Sequence, residues 1–278
     1  MKIKLWGTRG SIATPGPDTM RYGGNTSCVE VRSRAGTVLV LDAGTGIYPL
    51  GRSLERMERL DVLLTHLHMD HIQGLGFFEP LFRPELDVHI WGPESATLDL
   101  RGRLERYLSP PLFPVHLSDF RCRLSLHDVV RLEGFRIGDL EVSMSRVLHP
   151  GPTVGYRISD GRVSMAYIPD HEPALGSGRL PDDPHWISGL QLAHSVDLLI
   201  HDAQYTEAEY SEHIGWGHSS LEHVLQFADL AKVKELCAFH HDPSHGDRVL
   251  AELEENILTR PDLPFRFSFA REGATFQL

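Results

Sequence analysis

Four side chains able to bind a metal ion crowd into six residues at Thr65-His-Leu-His-Met-Asp-His71, directly behind the apolar run Asp61–Leu64. That run reads as a buried strand, and strand ends are where α/β folds usually display chemistry. His66, His68, Asp70 and His71 stand too close in the chain to surround one ion in good geometry. They can divide between two ions, His66 and His68 on one, Asp70 and His71 on the other. Imidazole nitrogens mixed with a carboxylate suit a borderline divalent ion, zinc first, with manganese and iron also within range. A lone His-x-His is usually a surface accident; the longer run behind an apolar strand is far more specific.

Two half-sites of this kind need further donors, and three residues each close another strand-like run. His149 ends Arg146-Val-Leu-His, Asp170 ends Ala166-Tyr-Ile-Pro-Asp, and His240 ends Leu236-Cys-Ala-Phe-His. Any one of them alone could be a hydrogen-bonded structural residue. Together they complete a set of five His and two Asp in which one carboxylate can bridge two ions. Paired divalent ions activate water for attack on phosphorus or on a carbonyl carbon. His89, His116, His127, His185, His194, His223 and His245 lie outside the pattern and are expected to be surface or half-buried. His171 and His241 flank donors, but the neighbour of a donor on a strand points to the opposite face. Arg9 and Arg21 could reach a phosphate.

The elements that must position these donors can be read from periodicity. Cys28–Arg32 and Thr37–Leu41, joined by Ser33-Arg-Ala-Gly, form a hairpin signal. Met1-Lys-Ile-Lys-Leu-Trp reads as an edge strand, and the run from Val88, ended by Gly92-Pro93, as another strand. Leu140–His149, Thr153–Ser159, Val163–Asp170, Val196–Ala203 and Glu235–His240 repeat the theme in the second half. Helical patterns span Glu94–Leu108 and Ser219–Leu230. Strands precede helices in both halves, which predicts two face-to-face sheets with helices outside, in one domain over 1–278. The Gly- and Pro-rich loops 8–26 and 109–120 are candidate caps over the site.

The 278 residues, 41% hydrophobic, suffice for a large core, and no stretch approaches the roughly 20 apolar residues of a membrane span. Cys28, Cys122 and Cys237 are sparse and odd in number, which argues for a reducing compartment and a cytoplasmic location. A net charge of −11 repels a phosphate backbone, so long nucleic acid is expected to be a poor partner.

The His-x-His-x-Asp-His element and the spaced donors resemble the metallo-β-lactamase superfamily, in particular the branch of ribonuclease Z and the cyclic phosphodiesterases, from Asp42 to His241. The resemblance implies an αβ/βα four-layer sandwich and often a homodimer. By motif, His66, His68 and His149 would hold one metal, and Asp70, His71 and His240 the other, with Asp170 bridging and aligning the attacking water. Leu41-Asp-Ala-Gly matches an early aspartate motif, so Asp42 would orient ligands. Leu199-Ile-His-Asp-Ala-Gln resembles the HEAT loop of ribonuclease Z, with Asp202 in place of glutamate. Gly217-His-Ser-Ser resembles its histidine-serine-threonine element. The resemblance thus makes His218 the candidate acid and Asp202 its partner.

The reading that follows is a dinuclear-metal phosphodiesterase acting on a small or cyclic nucleotide-like diester. Thioester hydrolysis of the glyoxalase II type uses the same donors but gives the Asp202–His218 pair no task. A tRNA 3′-processing enzyme of this branch usually carries an RNA-gripping arm between the residues matching His149 and Asp170. Here Asp170 follows His149 by 170 − 149 = 21 positions, enough for a hairpin. A sensor or scaffold keeping the fold without chemistry would be expected to have lost donors.

Overall fold

The computed structural model of the chain describes residues 1–129, 134–175 and 179–278. Its first sheet holds β1 (Lys2–Gly7), β2 (Cys28–Arg32), β3 (Val38–Leu41), β4 (Arg59–Leu63), β5 (Asp87–Pro93) and β6 (Arg123–Val129). The second holds β7 (Phe135–Ile137), β8 (Leu140–Arg146), β9 (Val154–Ser159), β10 (Ser164–Ile168), β11 (Leu198–Asp202), β12 (Glu235–Phe239) and β13 (Arg266–Phe269). The last strand, β14 (Thr275–Gln277), returns to the first sheet, giving seven strands in each among the described residues. Helices α1 (Ile47–Ser53), α2 (Met69–Ile72) and α3 (Leu100–Leu104) follow strands of the first sheet. Helices α4 (Leu190–Ala193), α5 (Glu207–Tyr210), α6 (Leu221–Ala231) and α7 (Asp247–Leu258) belong to the second half.

Period-two alternation explains the layering, because both faces of each sheet carry apolar side chains. In β3, Leu39 and Leu41 face the second sheet in a shared core with Tyr156, Tyr167, Ile200 and Phe239. Val38 and Val40 face outward, under Ile47, Leu50 and Ile72. Across the molecule, Ala166, Ile168 and Leu199 pack beneath Leu190, Val224, Phe227 and Leu250. Three apolar layers between four structural ones make the expected αβ/βα sandwich.

Two expectations are corrected here. The N-terminal strand is not an edge, because β14 pairs outside it, with Ile3 opposite Phe276. Such pairing between chain ends leaves no local signal. The helix expected over 94–108 is reduced to α3, which Asp99 starts by accepting from Gly102 N at 2.8 Å. The glycine and the missing apolar stripe before Leu100 explain the shortening.

Strand direction brings the donors to one edge. β3 and β4 run parallel, as do β10, β11 and β12. β8 and β10 both pair antiparallel with β9 and therefore point the same way. The segments leaving β3, β4, β8, β10, β11 and β12 all emerge at that edge. Tyr156 Oη donates to Leu64 O at 2.8 Å and Tyr167 Oη to Asp42 at 2.9 Å, locking the two sheets together beside it.

Candidate metal centre

Asp170 sits at the middle of the assembled residues, 1% exposed, and separates two groups of donors. His66, His68, His149 and Asp170 form one, and Asp70, His71, Asp170 and His240 the other; in each, the candidate donor atoms lie within 4.8 Å of one another. Asp170 Oδ2 lies 3.6 Å from both His66 Nε2 and His149 Nε2, while Oδ1 lies 2.9 Å from His71 Nε2 and 3.4 Å from His240 Nε2. All seven donors expected from the sequence thus converge.

The outer nitrogens of His71, His149 and His240 are held, which fixes which nitrogen faces inward. Asp42 Oδ2 contacts His71 Nδ1 at 2.8 Å, Gly217 O accepts from His149 Nδ1 at 2.7 Å, and Gln204 Oε1 from His240 Nδ1 at 3.0 Å. Asp42 also accepts from Thr65 N at 2.7 Å. Asp42 and His240 are left-handed, at φ 58° and 62°. Non-glycine residues rarely adopt that conformation; here it turns each chain sharply at its strand end into the centre.

The electrostatics call for cations. Burial alone would raise the Asp170 carboxyl, yet His240, His71 and His66 hold it well below the ordinary carboxylate range. Burial likewise opposes charge on His71, but Asp170, Asp70 and Asp42 push it well above an ordinary imidazole, so a proton stands in for missing positive charge. Burial drives His66 well down and His149 to about 4, leaving neutral, ligand-competent rings. His66 Nε2 is buried without a hydrogen-bond partner, which is costly unless another group binds there. Five imidazoles, two carboxylates and an orphaned inward nitrogen fit a pair of borderline divalent ions.

The expected pair beside the centre is also present. Asp202 Oδ2 contacts His218 Nδ1 at 2.7 Å and accepts from His171 N at 3.0 Å; its Oδ1 accepts from Gln204 N at 3.0 Å and Ser219 N at 3.3 Å. The shorter aspartate therefore still reaches the imidazole. Burial would lower the His218 pKa, but the Asp202 charge and hydrogen bond, helped by Asp170 and Asp70, push it up to about 9. Its ring stacks on His240 at 4.9 Å.

Loop 8–26 does reach the centre, since Ser11 N donates to Asp70 Oδ2 at 2.8 Å. Segment 109–120 lies to one side, where Leu112 lines a groove with Leu67, Met69 and Arg106. Arg9 is not a phosphate ligand: it is fully buried, and its guanidinium donates to Gly23, Asp242 and His245 carbonyls. His223 and His245, expected at or near the surface, are buried, His245 against Glu209 at 2.8 Å. His171 and His241 have structural partners, His201 and Ala270 O. Sequence reasoning missed Gln204, Tyr167 and Glu172. Gln204 could have been sought, because each donor imidazole needs an acceptor on its other nitrogen.

The Beta-lactamase superfamily domain matches residues 37–241. The chain belongs to the metallo-β-lactamase superfamily. Within it the chain is a metal-dependent hydrolase whose curated relatives include the ribonuclease Z of Brevibacillus brevis, 27% identical over 267 residues that cover 83% of each chain. Human tRNase Z, short form, superimposes with a TM-score of 0.69 at 19% identity, covering 100% of this chain and 99% of its own. A diphosphatase from the PhnP family gives 0.67 at 18% identity, with coverages of 99% and 96%. The expectation that long nucleic acid is a poor partner finds no support in these relatives. A net charge averages over the whole surface and says little about one edge. No helix among the described residues is long and apolar enough to cross a membrane.

Proposed function

We propose that this chain hydrolyses phosphodiester bonds with two divalent metal ions, and that a precursor tRNA 3′ end is the substrate to test first. Zinc is the first candidate metal, with manganese or iron also suited to the donors. The observation that carries the reading is Asp170 between two donor groups with the Asp202–His218 pair beside it. A thioester hydrolase would not need that pair, because a thiolate leaves without a proton. The ribonuclease Z relatives favour RNA over a small ester.

His66, His68 and His149 would hold one ion, Asp70, His71 and His240 the other, and Asp170 would bridge them. Such ions, when bound, lower the pKa of water toward neutrality and neutralise charge developing on the phosphate. Asp170, fixed among four imidazoles, orients the attacking group. Asp42, Gln204 and the Gly217 carbonyl keep donor rings in one tautomer. With Nδ1 committed to Asp202, His218 keeps a proton on Nε2 to deliver to the departing alkoxide.

A second reading, a small or cyclic diester, is favoured by one feature. Between His149 and Asp170 the chain forms only the β9–β10 hairpin, so no RNA-gripping arm emerges there. Zinc-loaded protein assayed against precursor tRNA, 2′,3′-cyclic nucleotides, bis-p-nitrophenyl phosphate and S-lactoylglutathione separates the cases. Cleavage of the precursor at its 3′ trailer supports the first reading; turnover of small diesters alone supports the second. Turnover of the thioester alone contradicts both.

A further inference from the structure

We propose that Glu172 is a positioning residue that latches the loop 211–218 over the centre, and through it sets both the His149 ring and His218. This rests on the roles given above to those two histidines. Glu172 lies two residues beyond Asp170, 1% exposed. Its Oε1 accepts from Gly215 N at 2.8 Å and from Tyr210 Oη at 3.0 Å, and its Oε2 from Gly217 N at 2.7 Å.

The two glycines are left-handed, at φ 89° and 92°, so both amides can turn toward one carboxylate. At Gly217 a side chain is also excluded, because a Cβ would meet His149 Nδ1 at 2.4 Å. The carbonyl of Gly217 is the acceptor for His149 Nδ1, and the next residue is His218. One carboxylate therefore holds the residue whose carbonyl orients a donor ring and whose neighbour carries the acid.

Little apolar packing secures this stretch. Ile214 is 48% and Trp216 62% exposed, so the loop buries little apolar surface of its own. Its other anchors are His213, which stacks on Tyr205 at 4.6 Å and contacts Glu209 O through Nδ1 at 2.7 Å, Ser211, whose hydroxyl donates to Ala208 O at 2.8 Å, and His218, which Asp202 holds. Segments with few buried contacts open readily unless polar bonds hold them. The carboxylate also fixes spacing, because Glu172 follows the strand end that carries Asp170, and His171 N is held by Asp202, the partner of His218.

The test is Glu172→Gln in the full-length, zinc-reconstituted chain. The amide keeps one acceptor oxygen but turns a donor toward the second glycine N–H. Amide hydrogen exchange at Gly215 or Gly217 should accelerate about tenfold, the scale of one lost hydrogen bond. Hydrolysis of a diester with a poor alkoxide leaving group should fall by at least about the same factor and by more than hydrolysis of bis-p-nitrophenyl phosphate, and zinc affinity should weaken because the His149 ring loosens together with His218. Wild-type exchange at both glycines, or equal losses on both diesters, overturns the latch. If the variant does not fold, Tyr210→Phe addresses the same carboxylate: exchange should rise at Gly215, which shares Oε1, more than at Gly217. No rise at Gly215 overturns the proposal. The parent reading fails separately: a His218→Ala variant with full activity on the poor-leaving-group diester defeats it, whatever the exchange data show.

Discussion

Gly10→Ala should selectively cripple one of the two metal positions. A Cβ on Gly10 would lie 2.4 Å from His240 Nδ1 and 2.6 Å from Cε1. Ordinary van der Waals contact begins near 3.4 Å, so the ring or the loop must move by roughly 1 Å. The ring is held by Gln204 at 3.0 Å and by stacking on His218. The loop is held by Gly10 N donating to His241 O at 2.9 Å and Ser11 N donating to Asp70 at 2.8 Å. Whichever yields, the disturbed donor is His240 or Asp70, both in the same group. Affinity for that ion should fall about 10–100-fold, as for lost ligand orientation, and turnover roughly 10²-fold, as for a 1 Å misplacement. Chelator-competition titration with zinc should resolve one step at wild-type affinity and one weakened. Gly16→Ala, where a Cβ meets nothing within 4 Å, is the control. Two ions bound at wild-type affinity by Gly10→Ala would contradict the placement of His240 and Asp70 on one ion.

His218→Ala should slow a poor-leaving-group diester by roughly 10²-fold or more, hit bis-p-nitrophenyl phosphate far less, and leave metal content unchanged; equal losses on both substrates would reduce His218 to a phosphate grip. Asp202→Asn should show a milder form of the same pattern. The metal-free protein should lose stability on acidification: burial lowers the pKa of His171, His201 and His241, the last to about 3, so below pH ~6.5 the unfolded chain binds protons that the folded chain refuses. His241 alone should account for about 1.4 kcal/mol at pH 5.5, so denaturant midpoints of His241→Asn should depend less steeply on pH between 7.5 and 5.5. His71 and His218, with raised pKa values, act in the opposite sense, their contributions full at acid pH and lost as pH rises; a stability that grows on acidification would mean they outweigh the buried neutral set.

The donors were legible because a strand end constrains where a side chain can point. His66 through His71, His149, Asp170 and His240 each sit just beyond an apolar run, and parallel strands in two stacked sheets leave them at one edge. Residues acting through backbone atoms were not legible. Glu172 has no motif, and only the fold brings Gly215 and Gly217 to it. Gly10 looked like loop punctuation until its close approach to His240 was visible. Arg9 looked available for phosphate because sequence does not show that three carbonyls surround it. The pairing of β1 with β14 joins the two chain ends, a separation no local pattern spans.

The central claim is that Asp170 bridges two ions. Elemental analysis of chelator-free protein reconstituted with zinc, alongside Asp170→Ala, tests it most directly. The account predicts about two ions per chain in the wild type, and loss of tight binding at both positions in the variant with the fold retained. A wild-type stoichiometry that stays at or below one, or an Asp170→Ala protein that still binds two ions tightly, would contradict it.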